Sequence, residues 1–420
     1  MTGFWQHALD RLLRSLVQFG SLRVIMPTGD IHTYGETSDT PVTVRLLDPA
    51  LLRKLVVNPE LVLGESYMDE TLVIEDDDVQ GLLAIIVRNV RHADAHPVWW
   101  QKLTERARAA LRGLAQKNPL PRARRNAAHH YDLSAALFDT FLDADRQYSC
   151  AYFRSPDVTL DQAQRDKKAH IARKLMIEPG MTVLDIGCGW GGMALTLARD
   201  HGARVVGITL SEEQHTFATE RARREGLSDR VEFRLCDYRQ VEGTFDRIVS
   251  VGMFEHVGLR HYNDFFAGIR NLLSPDGIAL IHTIGWAGPP KATNPWLKKY
   301  IFPGGYIPAL SEMMTAVERN HLWPTDMECL RLHYAYTLRH WFDRFRAHEA
   351  EVRALYDARF TRMWRFYLAA SEQTFRHAPQ AVFQIQLSRR VDAVPLTRDY
   401  LYDTGPTEHF PRARDARDLQ

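Results

Sequence analysis

Three places in the 420-residue chain carry residue types at spacings that can do chemistry. The first is Gly187-Cys188-Gly189-Trp190-Gly191-Gly192, a G-x-G-x-x-G run that follows the apolar stretch TVLDI and opens the helical pattern MALTLARDHG. Glycines at a strand-to-helix turn let backbone approach a ligand closely. The turn alone does not choose between a dinucleotide and S-adenosylmethionine, because both are bound over glycine-rich first turns. The second place is Glu255-His256, just after the apolar run RIVSVG, and the third is His282, at the end of IALI. In open α/β sheets ligands lie beyond the carboxyl ends of the strands, so polar side chains there meet a bound reactant. Each also has a plainer reading: a strand-end Glu caps a following helix, and a His is a satisfied core residue.

The elements that must position these residues follow from periodicity. From Thr182 onward the β-rich runs TVLDIG, ARVVGITL, RVEFRLC, FDRIVSVG and GIALIHTI alternate with helical stretches, the pattern of a parallel, doubly wound α/β sheet. Asp185, two residues ahead of the first glycine, tips the cofactor choice, and the run LDIGCGWGG resembles the first motif of class I methyltransferases. That resemblance implies a Rossmann-like domain whose turn, through Gly187 and Gly189, cradles the methionine end of S-adenosylmethionine. It puts Leu210 and Gln214 by the ribose and Asp237 and Tyr238 at the adenine. One departure stands out: where many such enzymes end strand two with an acidic residue, this chain reads Thr209-Leu210-Ser211.

Eight segments in order, HHYDLSAALFDTFLD, QYSCAYF, LDIGCGWGG, GITLSEEQ, GMFEHVG, HTIG, FPGGYIP and HYAYTLRHW, resemble the cyclopropane-fatty-acyl-phospholipid synthases and the mycolic acid cyclopropane synthases over residues 126–390. The N-terminal runs LRVIMPTGDIHTYG and LVLGESYMDE resemble the accessory domain of the phospholipid enzymes. The resemblance implies that Cys150, Glu255, His282, Ile284 through its backbone N–H, and Tyr334 hold a bicarbonate ion. It also implies that Tyr148 and Ser149 flank the methionine moiety and that Tyr131 packs near the sulfonium. The implied chemistry is one-carbon addition to a cis double bond of a phospholipid acyl chain. An alkene is a poor nucleophile, so its π electrons must be aligned with an electrophilic methyl and water kept out. A cation then develops on the acyl chain, and a held bicarbonate removes the proton as a cyclopropane closes. Loss of a different proton gives a methyl- or methylene-branched chain, and a non-catalytic lipid-binding protein is the alternative outside enzymology. Trp286, Trp296, Tyr300, Ile301 and Phe302, with Tyr334, Leu338, Trp341, Phe342 and Phe345, are read as walls of an acyl tunnel, with plain core as the alternative.

Length and pattern divide the chain into a small α+β accessory and lipid-docking domain (1–95), a basic helical linker (96–125), the catalytic domain (126–395) and a C-terminal tail (396–420). Apolar residues at 45% and charged residues at 25% suit a globular protein. The four cysteines form no C-x-x-C pair, so no disulfide framework and no metal site is expected. No run reaches the length of a membrane span and no secretory leader is read, which places the chain in the cytoplasm. Residues 91–125 hold nine Lys or Arg against Asp94 and Glu105 in a chain of formal charge +1. Beside Trp99 and Trp100, this basic segment is read as docking on anionic lipid at the inner face of the membrane, with a solvated linker as the alternative. Nucleic acid is not expected, since no reading module accompanies the charge. A homodimer is implied by analogy with the family.

Overall fold

The computed structural model describes residues 2–37, 40–95 and 134–402. Most of the basic segment, including Trp99 and Trp100, the HHYD run with Tyr131, and the tail beyond Tyr402 lie outside the described residues. The N-terminal unit runs α1 (Thr2–Leu16), β1 (Ser21–Ile25), β2 (Ile31–Gly35), β3 (Val42–Leu46), α2 (Pro49–Val57), α3 (Pro59–Met68), β4 (Leu72–Ile74) and α4 (Val79–Ala95). Its sheet has the order β2-β1-β3-β4, with β1 and β2 antiparallel and β1 and β3 parallel. The apolar stripe of α1 docks inward through Leu9, and Val17 just beyond it is buried, while Phe4 stays exposed.

Seven strands form the second sheet: β5 (Thr182–Ile186), β6 (Arg204–Thr209), β7 (Val231–Leu235), β8 (Phe245–Val251), β9 (Leu273–Trp286), β10 (Trp323–Cys329) and β11 (Gln380–Ser388). Their order is β10-β11-β9-β8-β5-β6-β7. The five strands read from the sequence run parallel. Two more join them without a clear sequence signal: β11 enters between β9 and β10 and is antiparallel to both, so the sheet is mixed at that end. After α4 the helices are α5 (Ala135–Asp139), α6 (Leu160–Leu175), α7 (Gly192–His201), α8 (Glu212–Arg224), α9 (Tyr262–Leu272), α10 (Pro295–Tyr300), α11 (Leu310–Arg319), α12 (His333–Ala347), α13 (Glu349–Leu355) and α14 (Ala358–His377). The chain stays folded past residue 395, where a tail was expected to begin. Arg398 pairs with Asp326 at 2.5 Å, the Tyr400 hydroxyl donates to Gln386, and Leu401 is buried.

Helices α12 and α14 pack on each other, and α14 also packs on α3 and α4, so one apolar cluster runs from Leu52 and Met68 of the N-terminal unit to Trp296, Trp341 and Trp364. The seam is polar at its edge. Arg365 on α14 makes a two-pronged pair with Glu349 (2.6 and 2.5 Å) and also bonds Asp77. Gln80 donates to Glu372, and the Gln373 amide donates to Gln80. This packing corrects part of the tunnel assignment. The Trp296 indole lies against Gly64 of α3 and donates to Met68 Sδ at 3.3 Å, while the Tyr300 hydroxyl bonds Glu65. Both aromatics are claimed by the interdomain seam, because α3 presents a glycine and a methionine where a large flat ring can lie.

Candidate active site

The glycine turn is fastened before any ligand arrives. The N–H groups of Gly187 and Cys188 both donate to the Ile208 carbonyl at 2.9 Å, tying the end of β5 to β6. Gly187 and Gly191 have φ of +82° and +84°, and a Cβ on Gly191 would stand 2.8 Å from the Phe233 ring. Only glycine suits both positions. The turn opens onto a cleft of about 1430 Å³, mouth included, lined by Tyr148, Ser149, Asp185, Gly187, Gly189, Leu210, Gln214, Asp237 and Tyr238. Every described position assigned to the cofactor from the sequence therefore lies on one cavity. The Thr209-Leu210-Ser211 turn works as a hydrogen-bonded unit: Thr209 Oγ1 donates to Gln214 Oε1 at 2.9 Å, and Ser211 Oγ accepts the Gln214 N–H. Asp237 is held by Arg239 through two bonds of 2.7 and 2.8 Å, so Arg239 shares the adenine end assigned to Asp237.

Asp185 suits a cationic ligand. It is 1% exposed, and its Oδ2 has no hydrogen-bond partner among the described residues. Burial pushes its carboxyl up to about 7, against the opposing pull of Lys167. An ammonium such as that of S-adenosylmethionine would satisfy the bare oxygen and restore the charged form, with Tyr148 and Trp190 supplying ring surface nearby. The folded value is raised, so the stabilising contribution of Asp185 is full below about 3.8 and is lost as pH rises through about 7. Cofactor affinity should thus rise with pH toward 7 and binding should release a proton. Asp185→Asn should flatten that slope and weaken binding about 10- to 100-fold, the worth of a hydrogen bond to a charged group. Titration calorimetry in buffers of different ionisation enthalpy reads both, and equal slopes for the two proteins would refute the assignment.

None of the five positions assigned to the reaction is among the residues that line the cleft. Glu255 is buried in the turn after β8, between the lining residues Met253 and His256, and its Oε1 accepts the Ile284 N–H at 2.7 Å. This differs from the expectation that the Ile284 N–H faces a bound anion, since the carboxylate of the same site already takes that donor. Glu255 Oε2 and His282 Nε2 are buried with no hydrogen-bond partner among the described residues. Cys150 follows the lining residue Ser149, and its thiol donates to the Ala151 carbonyl at 3.3 Å. Tyr334 joins through rings: it stands edge-on to Trp341, on which Tyr148 stacks at 5.1 Å. Phe302 meets His256 at 6.2 Å and Tyr367 at 5.8 Å.

Burial drives each titratable group here toward its neutral form. It pushes Glu255 up to about 7 and Cys150 higher still, and it pulls His256 down to about 4 and His282 further below its usual range. The same holds for a residue the sequence did not reveal, a lysine whose ammonium burial pulls down to about 8. Lys167 on α6 is fully buried, and its Nζ donates to Gln147 Oε1 and Ser149 Oγ at 2.7 Å each. It acts electrostatically on Asp185, Cys150 and His282 together. The run LDQAQRDKKAHIARKL reads as a solvated helix, so nothing in it announces that its three lysines, Lys167, Lys168 and Lys174, are all buried. Arg146 was missed as well: it lines the cleft, pairs with Asp139 through two bonds of 2.7 Å and lies over the Trp190 and Phe217 rings.

Comparison with known proteins matches this arrangement to a family. Residues 119–385 fit the family described as mycolic acid cyclopropane synthetase, and residues 8–94 fit one described only as a domain of unknown function. The cyclopropane-fatty-acyl-phospholipid synthase of Escherichia coli is 39% identical over 352 residues, covering 84% of this chain and 89% of that protein. The tuberculostearic acid methyltransferase of Mycobacterium tuberculosis is 35% identical over 394 residues, 90% of each chain. A crystal structure of a mycolic acid cyclopropane synthase complexed with SAH and CTAB superposes with a TM-score of 0.61 at 32% identity, covering 64% of this chain and 99% of that one. The family match over residues 119–385 and the 39% identity over most of both chains show that the chain belongs to the cyclopropane synthase family and is an S-adenosylmethionine-dependent methyltransferase.

Proposed function

We propose that the enzyme adds the methyl carbon of S-adenosylmethionine across a cis double bond in an acyl chain of a membrane phospholipid and closes a cyclopropane ring. The observation that carries this reading is the pair of buried polar atoms, Glu255 Oε2 and His282 Nε2, that have no hydrogen-bond partner among the described residues. A carbocation forming beside a thiolate would be captured covalently, and burial disfavours that form of Cys150. S-adenosylmethionine supplies the electrophilic methyl, and bicarbonate, when bound, supplies the base for the proton lost on ring closure. Glu255 Oε2 and His282 Nε2, the buried and unpartnered atoms, fit that ion as its polar contacts, with Cys150 and Tyr334 as further donors. Ile284 acts through Glu255, whose Oε1 it fixes. The aromatic group of Tyr148, Trp341 and Tyr334 excludes water and orients the alkene.

Among the described residues no helix is long and apolar enough to cross a membrane. The proposed approach to the lipid is peripheral, from the cytoplasmic side, through the N-terminal unit and the basic run 91–125, in an enzyme that works as a homodimer.

A second reading has support of its own. The tuberculostearic acid methyltransferase aligns over 90% of its length and 90% of this chain, so a match of that extent accompanies a methyl-transfer name as well as a cyclopropane one. Methyl-labelled S-adenosylmethionine with vesicles of a monounsaturated phospholipid separates the two. Upfield cyclopropyl protons on the released acyl methyl esters are expected, methyl-branch or olefinic methylene signals would favour the second reading, and no label on lipid would overturn both.

A further inference from the structure

Strand β11 carries an unusual face. Gln384, Gln386 and Ser388 alternate along it and are all fully buried, although a strand inside a sheet ordinarily buries apolar residues there. Two of the three have structural duties. Gln386 donates to the Lys174 carbonyl at the end of α6 and accepts from Thr325 and Tyr400. Ser388 donates to the Arg390 carbonyl at 2.6 Å. Gln384 has one side-chain bond, to His282, and its Oε1 has no partner among the described residues. A buried amide half satisfied in this way costs stability that an apolar residue of similar size would not, so folding does not explain it.

We propose that Gln384 is a positioning residue that fixes the tautomer of His282: its amide N–H donates to Nδ1, so the ring proton sits on Nε2 and the imidazole offers an N–H donor to the reaction. The two residues are direct cross-strand partners in the β9–β11 register, on the same sheet face, with Gln384 Nε2 and His282 Nδ1 3.1 Å apart. A neutral imidazole has one donor and one acceptor, so a partner that donates to Nδ1 leaves the proton on Nε2. Burial keeps the ring neutral, since it pulls His282 well below its usual range and Lys167 and Lys174 act in the same sense. Nε2 is the atom left without a partner among the described residues. The inference rests on the proposed place of His282 in the reaction. A fixed Nε2–H matters there because a mixture of tautomers would spend part of its time offering a lone pair to whatever anion the site holds.

The test reads the tautomer directly. Enzyme labelled with ¹⁵N-histidine should give the two-bond proton–nitrogen pattern of an Nε2–H ring for His282, assigned by its loss in His282→Gln. Gln384→Glu presents an acceptor to Nδ1 and should switch the pattern to Nδ1–H. Its kcat should fall about 10- to 100-fold, the usual loss when the partner orienting a working histidine is changed, with the KM for S-adenosylmethionine unchanged. Gln384→Met should keep the melting temperature at or above wild type while kcat falls, an outcome that a merely structural glutamine would not give. An Nδ1–H pattern in the wild type, or full kcat in Gln384→Glu with the tautomer switched, would overturn the inference. If the wild type labels no acyl chain, the reading of function fails while the tautomer result still decides the pairing.

Discussion

Glu255→Gln lowers kcat about 100- to 1000-fold, the usual loss when one preorganised polar contact to the reacting group is removed, and leaves the dissociation constant of S-adenosylmethionine nearly unchanged. The fold should survive, because a glutamine oxygen can still accept the Ile284 N–H that Glu255 Oε1 accepts at 2.7 Å. What is lost is the second oxygen, buried and unpartnered among the described residues, and with it the capacity to change charge. Two pH signatures go with the substitution. If the ionised carboxylate accepts the O–H of the bound base, wild-type kcat climbs as pH rises through about 7 and the variant is flat. The stability sign is opposite. The folded value is raised above 4.5, so the contribution of Glu255 is full below that value and is lost as pH rises through about 7. Above neutrality, therefore, the cofactor-free variant should melt at a higher temperature than wild type. Single-turnover label transfer and equilibrium binding of the cofactor check the first claim. A parallel loss of cofactor affinity would remove Glu255 from its assigned place.

Trp296→Ala costs about 3–5 kcal/mol of folding free energy, the usual range for removing a fully packed tryptophan. The residue is 2% exposed, meets Phe366 of α14 edge-on at 4.9 Å, and rests on the backbone of α3 where Gly64 has no side chain. The complementary change argues the same geometry. A Cβ on Gly64 would stand 2.4 Å from the indole Nε1, so Gly64→Ala overpacks the seam at about 1–3 kcal/mol. Because the methyl added at position 64 can take up part of the space that the indole vacates, the double variant should be less destabilised than the sum of the two single changes. Scanning calorimetry of the four proteins measures this. A Trp296→Ala enzyme with the wild-type transition would mean that the two units fold without each other.

How much of this was legible in the sequence varied with the kind of residue. The five parallel strands declared themselves because their apolar runs are short, dense and separated by helical periods, and the glycine turn because G-x-G-x-x-G needs no tertiary context. Strands β10 and β11 did not, since WPTDMEC and QAVFQIQLS mix in polar residues whose partners lie elsewhere in the chain: Asp326 meets Lys174, and Gln384 meets His282. Lys167 was hidden for the same reason, in a helix whose many charges suggest solvent on every side. Tyr300 reads from its neighbours as a tunnel wall and turns out to answer Glu65, 235 residues away. Local pattern reports the elements, while the identity of a buried polar partner is a long-range fact.

The insertion of β11 between β9 and β10 also sets a time order on the making of the enzyme. The N-terminal unit, the glycine turn and Glu255 all leave the ribosome well before residues 380–388, yet His282 gains its partner Gln384, and the edge strand β10 its strand partner, only once β11 has been made. Helix α14, which closes the core of the N-terminal unit, emerges almost as late. A nascent chain that can already form the cofactor turn is therefore still unfinished both at the site and at the seam. The newborn protein passes through synthesis with exposed apolar surface and an unpaired strand edge on β9, the kind of interval in which a chaperone is recruited.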